Sequence, residues 1–196
     1  MSDAIKMSYE IKMQADDFFN AHSVLRESDE AMMDKLEQLS GKPLVSETAF
    51  GALPVSTPSI VCLAFALELY VKELYVVLKI RERNEKDIKA PRGHNILKLF
   101  RQLPLEAQQE IRNYPAIQEV VAFYAMEKFP LYIPQDKDKQ PITDVLEQQI
   151  HKISDAFEKW RYSYESEILT YEESIALVLI AAIKSASHNA RKQPVA

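Results

Sequence analysis

Apolar residues recur at helical intervals along most of the chain, and no stretch alternates strictly as a half-buried strand does. Over residues 5–38, Ile11, Ala15, Phe18, His22, Leu25, Met32 and Leu36 share one side of a helix, with charged residues opposite. Gly41 and Pro43 end it, and residues 39–58 read as a long loop, of a length that is uncommon without a function. A second helix starts with Thr57 as cap and Pro58 at its first position, and runs to about Arg83. It is apolar on nearly every face, which predicts the central helix of a bundle. Residues 84–93 form a polar break, and a short helix is expected over 94–103, closed by Pro104.

Two further short helices are expected over 105–113 and 116–128, separated by Pro115. Pro130, Pro134 and Pro141 frame a second loop over 129–142 around Asp136, Lys137, Asp138 and Lys139. A helix over 143–166 follows. The last helix opens with Thr170 and Glu173 as a capping box and runs to about Ala190. The pattern predicts an all-α fold, a single domain over 1–196, with long antiparallel helices and short connecting ones.

Composition narrows the setting. The chain has 196 residues, 47% of them hydrophobic and 27% charged, with three glycines, as a helical globular domain requires. A net charge of −5 opposes general nucleic-acid binding through bulk electrostatics, while leaving room for a local basic groove. Cys62 is the single cysteine, so an intrachain disulfide cannot form, and a reducing cytoplasm is the expected location. The first residues lack the apolar core of a signal peptide, and the run from Ile175 to Ile183 is about half of what a bilayer needs, so no membrane partner is expected.

Several polar residues stand where they need partners. Glu68 and Lys72 lie one turn apart on the apolar central helix, as a mutual pair or as part of a shared polar site. Gly93 permits a tight turn before His94 and Asn95, which sit at the expected start of the short third helix, near unpaired backbone N–H groups. Ile153, Phe157, Trp160 and Tyr164 form a stripe to be buried, with Arg161 and Glu165 one turn apart at its edge. His22 falls on the apolar stripe as a satisfied core residue, and His151 on a polar face. No set of His, Cys, Asp or Glu has zinc-ligand spacing, and neither a phosphate-cradling glycine loop nor a nucleophile elbow is present, so no metal or cofactor is expected. Cys62 reads as packing rather than a nucleophile.

The order of three segments carries a resemblance. Ala66-Leu67-Glu68-Leu69-Tyr70-Val71-Lys72-Glu73-Leu74 is followed by Gly93-His94-Asn95-Ile96-Leu97-Lys98-Leu99-Phe100 and then by Phe157 through Glu165. Over residues 58–190 the chain resembles the HEPN superfamily of small prokaryotic helical bundles, in its branch with an Arg-Tyr-x-Tyr-Glu signature. That resemblance implies a dimer in a defence or stress setting. Many such proteins are metal-independent endoribonucleases of toxin–antitoxin or antiviral systems, using an arginine followed four to six residues later by histidine. No arginine here is so followed.

The expectation is therefore a HEPN-like module that binds RNA, a nucleotide or a protein partner such as an antitoxin. Arg161, Lys72 and His94 would face phosphate, with Asn95 alongside, and Glu68 and Glu165 would hold the cations. The alternatives are an endoribonuclease in which Arg161 acts with His94 or Glu165, and a structural homodimer whose polar residues fix helix register.

Overall fold

A computed structural model describes residues 2–40, 57–82, 88–126, 144–160 and 173–192. Among them every regular element is a helix: α1 (Asp3–Ser40), α2 (Thr57–Arg81), α3 (Ile96–Gln102), α4 (Leu105–Arg112), α5 (Pro115–Met126), α6 (Val145–Trp160) and α7 (Glu173–Lys192). The all-α expectation holds, and no described helix is long and apolar enough to cross a membrane.

α2 is the centre, as its lack of a polar face requires. Leu63, Ala66, Leu67, Tyr70, Val71 and Leu74 are all at most 1% exposed, and α2 touches α1, α3, α6 and α7. α1 lies antiparallel to it: His22 meets Ser59 at the start of α2, Asp16 meets Tyr70, and Ser8 shares Arg191 with Glu73. α7 runs parallel to α2, with Glu173 near the Ser59 end, Lys184 beside Tyr70, and Ser187 beside Glu73. Ile175, Ala176, Leu179, Ile180, Ile183 and Ala186 form the buried stripe of α7. Leu146, Ile150 and Ile153 of α6 close the core from another side.

Several boundaries move from their expected places. α3 begins at Ile96, not at His94, because Asn95 is an extended N-cap whose Oδ1 accepts from the Lys98 N–H at 2.8 Å. Pro115 opens α5 instead of separating two helices, a position where its missing N–H is no loss. α7 is described from Glu173, whose carboxylate pairs with His22 and Arg26. Thr170 lies outside the described residues, as do the 129–142 loop and nearly all of the 39–58 loop.

Candidate functional site

α2 and the turn before α3 build one polar cluster on the side of the core. Glu68 projects from α2 and is 4% exposed. A carboxylate buried to that degree requires hydrogen-bond donors, since an unpaired buried charge is very costly. Two are supplied. Lys72, one turn along, donates to Glu68 Oε1 at 2.6 Å. His94 donates from Nδ1 to the same carboxylate, at 3.2 Å to Oε1 and 3.1 Å to Oε2.

The turn that delivers His94 depends on Gly93, whose φ of +99° lies in the region open to glycine. A Cβ there would meet nothing within 4 Å, so the demand for glycine is conformational and not steric. Asn95 then caps α3, and the backbone N–H of Leu97 donates to Ser154 Oγ of α6 at 2.9 Å, fixing the start of α3 against its neighbour. The His94 side chain is 64% exposed, whereas those of Glu68 and Lys72 are 6% and 13% exposed. The cluster thus reaches from the protein interior to solvent. Lys89, Arg92 and Lys98 are exposed nearby in the chain, and no acidic residue occurs between positions 88 and 98.

Of the residues singled out from the sequence, Glu68, Lys72 and His94 meet, and Asn95 acts as a cap beside them. Arg161, Tyr162, Tyr164 and Glu165 lie outside the described residues, as do the side chains of Phe157 and Trp160. Ile153, the first member of that stripe, is 2% exposed. His151 is half-buried on α6 and His188 is exposed on α7. Burial raises the Cys62 thiol above its ordinary range, which disfavours the reactive thiolate. Among the described residues no group of three or more His, Cys, Asp or Glu can hold a metal ion.

Three further polar networks lie elsewhere in the bundle, and of their members the sequence singled out His22 alone as a core polar residue. Glu73 of α2, 2% exposed, accepts from Arg191 Nη2 at 2.5 Å and from Ser187 Oγ at 2.9 Å. The same guanidinium donates to Ser8 Oγ at 2.7 Å and lies over the Tyr9 ring. Glu73 breaks the same apolar pattern as Glu68, so the rule that marked Glu68 also marks it.

His22 is satisfied in the core, as expected. Its Nε2 pairs with Glu173 at 3.1 Å and its Nδ1 lies 2.8 Å from Ser59 Oγ. The hydrogen bond from His22 holds the Glu173 carboxyl below its usual range, outweighing burial, and the Arg26 charge helps. In the third network, Tyr70 Oη donates to Asp16 Oδ1 at 2.5 Å, while Lys12 and Lys184 lie beside the same carboxylate. Burial and the Asp16 carboxylate raise the Tyr70 hydroxyl well above the ordinary phenol range. Burial pushes Asp16 up, but donation from Lys12 and Tyr70 brings it below its ordinary value.

No protein-family model, curated protein or solved structure matches this chain.

Proposed function

We propose that this chain is a HEPN-like, dimeric module of the prokaryotic cytoplasm that binds a phosphate-bearing ligand, RNA or a nucleotide. Lys72 and His94 are its ligand-facing donors and Glu68 is the carboxylate that holds them. One observation supports this above the others: a single buried carboxylate engages both a nearly buried ammonium and an imidazole that is mostly in solvent. A pair that served only to neutralise Glu68 is already complete with Lys72. The exposed third member lies near Lys89, Arg92 and Lys98 in the chain, a locally basic stretch in a chain that is acidic as a whole. Arg161 and Glu165 join this reading through sequence resemblance alone.

A second reading rests on the His94–Glu68 contact itself. A carboxylate at Nδ1 keeps the neutral imidazole protonated there, which leaves the lone pair on Nε2. That tautomer suits proton abstraction from a ribose 2′-hydroxyl, and so metal-independent RNA cleavage.

Both are tested on one set of samples. Fluorescence anisotropy with labelled single-stranded RNA, from about 50 to 200 mM salt, should show binding that weakens as salt rises. Lys72→Met and His94→Gln should each weaken it about tenfold, the worth of one charge-assisted contact. Salt-independent binding, or variants that bind like the wild type, would refute the proposal. Gel analysis of the same mixtures in excess EDTA decides the second reading. Cleavage by the wild type but not by His94→Gln would make the protein an endoribonuclease.

A further inference from the structure

α3 has seven residues, just under two turns, and a helix that short takes its position from its neighbours. α6 holds it at both ends. Glu147 and Ser154 lie two turns apart along one side of α6. Arg101, in the last turn of α3, donates to Glu147 Oε1 from Nε at 3.2 Å and to Oε2 from Nη2 at 2.5 Å. Leu97, in the first turn, donates its backbone N–H to Ser154 Oγ at 2.9 Å. The two helices are therefore antiparallel, and the end held by Ser154 is the one that continues from Gly93, His94 and Asn95.

The Ser154 contact is set from both sides. Its hydroxyl donates to Ile150 O at 2.7 Å, which leaves the oxygen's lone pairs for Leu97. Ser154 and Leu97 are 5% and 6% exposed, so water does not readily stand in for the hydroxyl if it is lost. Asn95 caps the Lys98 N–H within the same turn, which fixes local backbone angles but not where α3 lies on the bundle. His94 stands three positions before Leu97, and on its other side Gly93, at φ +99°, is the residue with the fewest backbone restraints. The reach of His94 Nδ1 to the Glu68 carboxylate, 3.1 and 3.2 Å, is thus measured out from the contact at Leu97.

We propose that Ser154 is a positioning residue for His94: its hydroxyl on α6, acting through the backbone of Leu97, sets α3 so that the imidazole meets Glu68 on α2. The inference deepens the ligand site proposed above and rests on that reading for its effect on RNA.

The test reads the imidazole itself. Long-range proton–nitrogen NMR spectra of the full chain, with imidazole neutral, report which ring nitrogen of His94 carries the proton, the signals being assigned through His94→Gln. In the wild type the Glu68 contact should hold that proton on Nδ1. Ser154→Ala should shift it toward Nε2, as in an imidazole with no carboxylate at Nδ1. Ser187→Ala, at a buried serine of α7 bonded to Glu73, should leave the wild-type pattern. An unchanged pattern in Ser154→Ala would overturn the proposal, as would the same shift in Ser187→Ala or a wild type protonated on Nε2. Labelled RNA gives a second readout. Ser154→Ala should weaken binding by up to about tenfold, and combined with His94→Gln it should weaken it no further than His94→Gln alone. A loss of about a hundredfold in the pair would show that Ser154 acts independently of His94, and would also overturn the proposal. A wild type that does not bind RNA would refute the proposed function, and the proton position would still decide the role of Ser154.

Discussion

Replacing Arg191 with methionine removes the guanidinium that balances Glu73 and keeps most of its apolar stem. The carboxylate, 2% exposed, would then have Ser187 Oγ as its remaining donor among the described contacts. Removing one partner of a buried ion pair costs about 3–5 kcal/mol. Here the Arg191 side chain is 29% exposed, so water can reach the vacated place, and Ser187 stays. The expected loss is therefore about 2–3 kcal/mol, below that range but a large part of a domain stability of about 5–15 kcal/mol. Urea denaturation followed by circular dichroism at 222 nm reads it directly. The companion Glu73→Leu/Arg191→Met double variant removes both charges and should recover to within about 1 kcal/mol of the wild type, because apolar replacement of a buried pair is often close to neutral. A loss under about 0.5 kcal/mol for Arg191→Met would show that Glu73 does not depend on the guanidinium. Strict additivity in the double variant would show that the two side chains are not coupled.

Other expectations follow from the same contacts. The Glu173 carboxyl is depressed in the folded protein, so its contribution is present above its unfolded value, near 4.5, and is lost as pH falls through the lower folded value. Glu173→Gln should therefore cost about 1–2 kcal/mol at pH 7, and the difference should vanish in acid; a pH-independent gap would exclude the linkage. Gly93→Ala should cost about 1 kcal/mol in a thermal melt through backbone strain alone, since no atom lies in the way of the new methyl group. The same variant should also weaken RNA binding at the Glu68 cluster by displacing His94. Asn95→Ala should cost about 1 kcal/mol by uncapping α3, and an unchanged melt would remove that role.

Helices with a long periodic signal were legible in the chain: α1, α2 and the C-terminal end of α7 fall within a few residues of where their patterns place them. The start of α3 was not, because the difference between a first helical residue and a cap is a matter of backbone angle. Asn95 sits at φ −79° and ψ 106°, a choice that the downstream N–H of Lys98 makes favourable. Glu68 and Lys72 were readable as a pair because they are one turn apart. The arrival of His94 was not, since it crosses 26 positions and depends on a positive-φ turn. Glu73 shows the limit more sharply. Its anomaly is local, a charge on an apolar helix, but its partner comes from 118 positions away. Periodicity can mark a buried charge as needing a cation without saying which one.

The parallel course of α7 along α2 has a consequence for how the chain comes to be made. α1 and α2 are synthesised early, whereas the helix that covers a whole side of α2 is finished only at Lys192. A ribosome adding about 5–20 residues per second leaves α2 with one flank open for several seconds after its own residues have emerged. During that interval Glu73 lacks both Ser187 and Arg191, and the apolar surface destined for Leu179 and Ile183 is in water. Nascent chains halted before α7 should therefore be sticky and bound by chaperones, whereas those halted just after it should be protease-resistant. Completion of this fold is timed by its last helix.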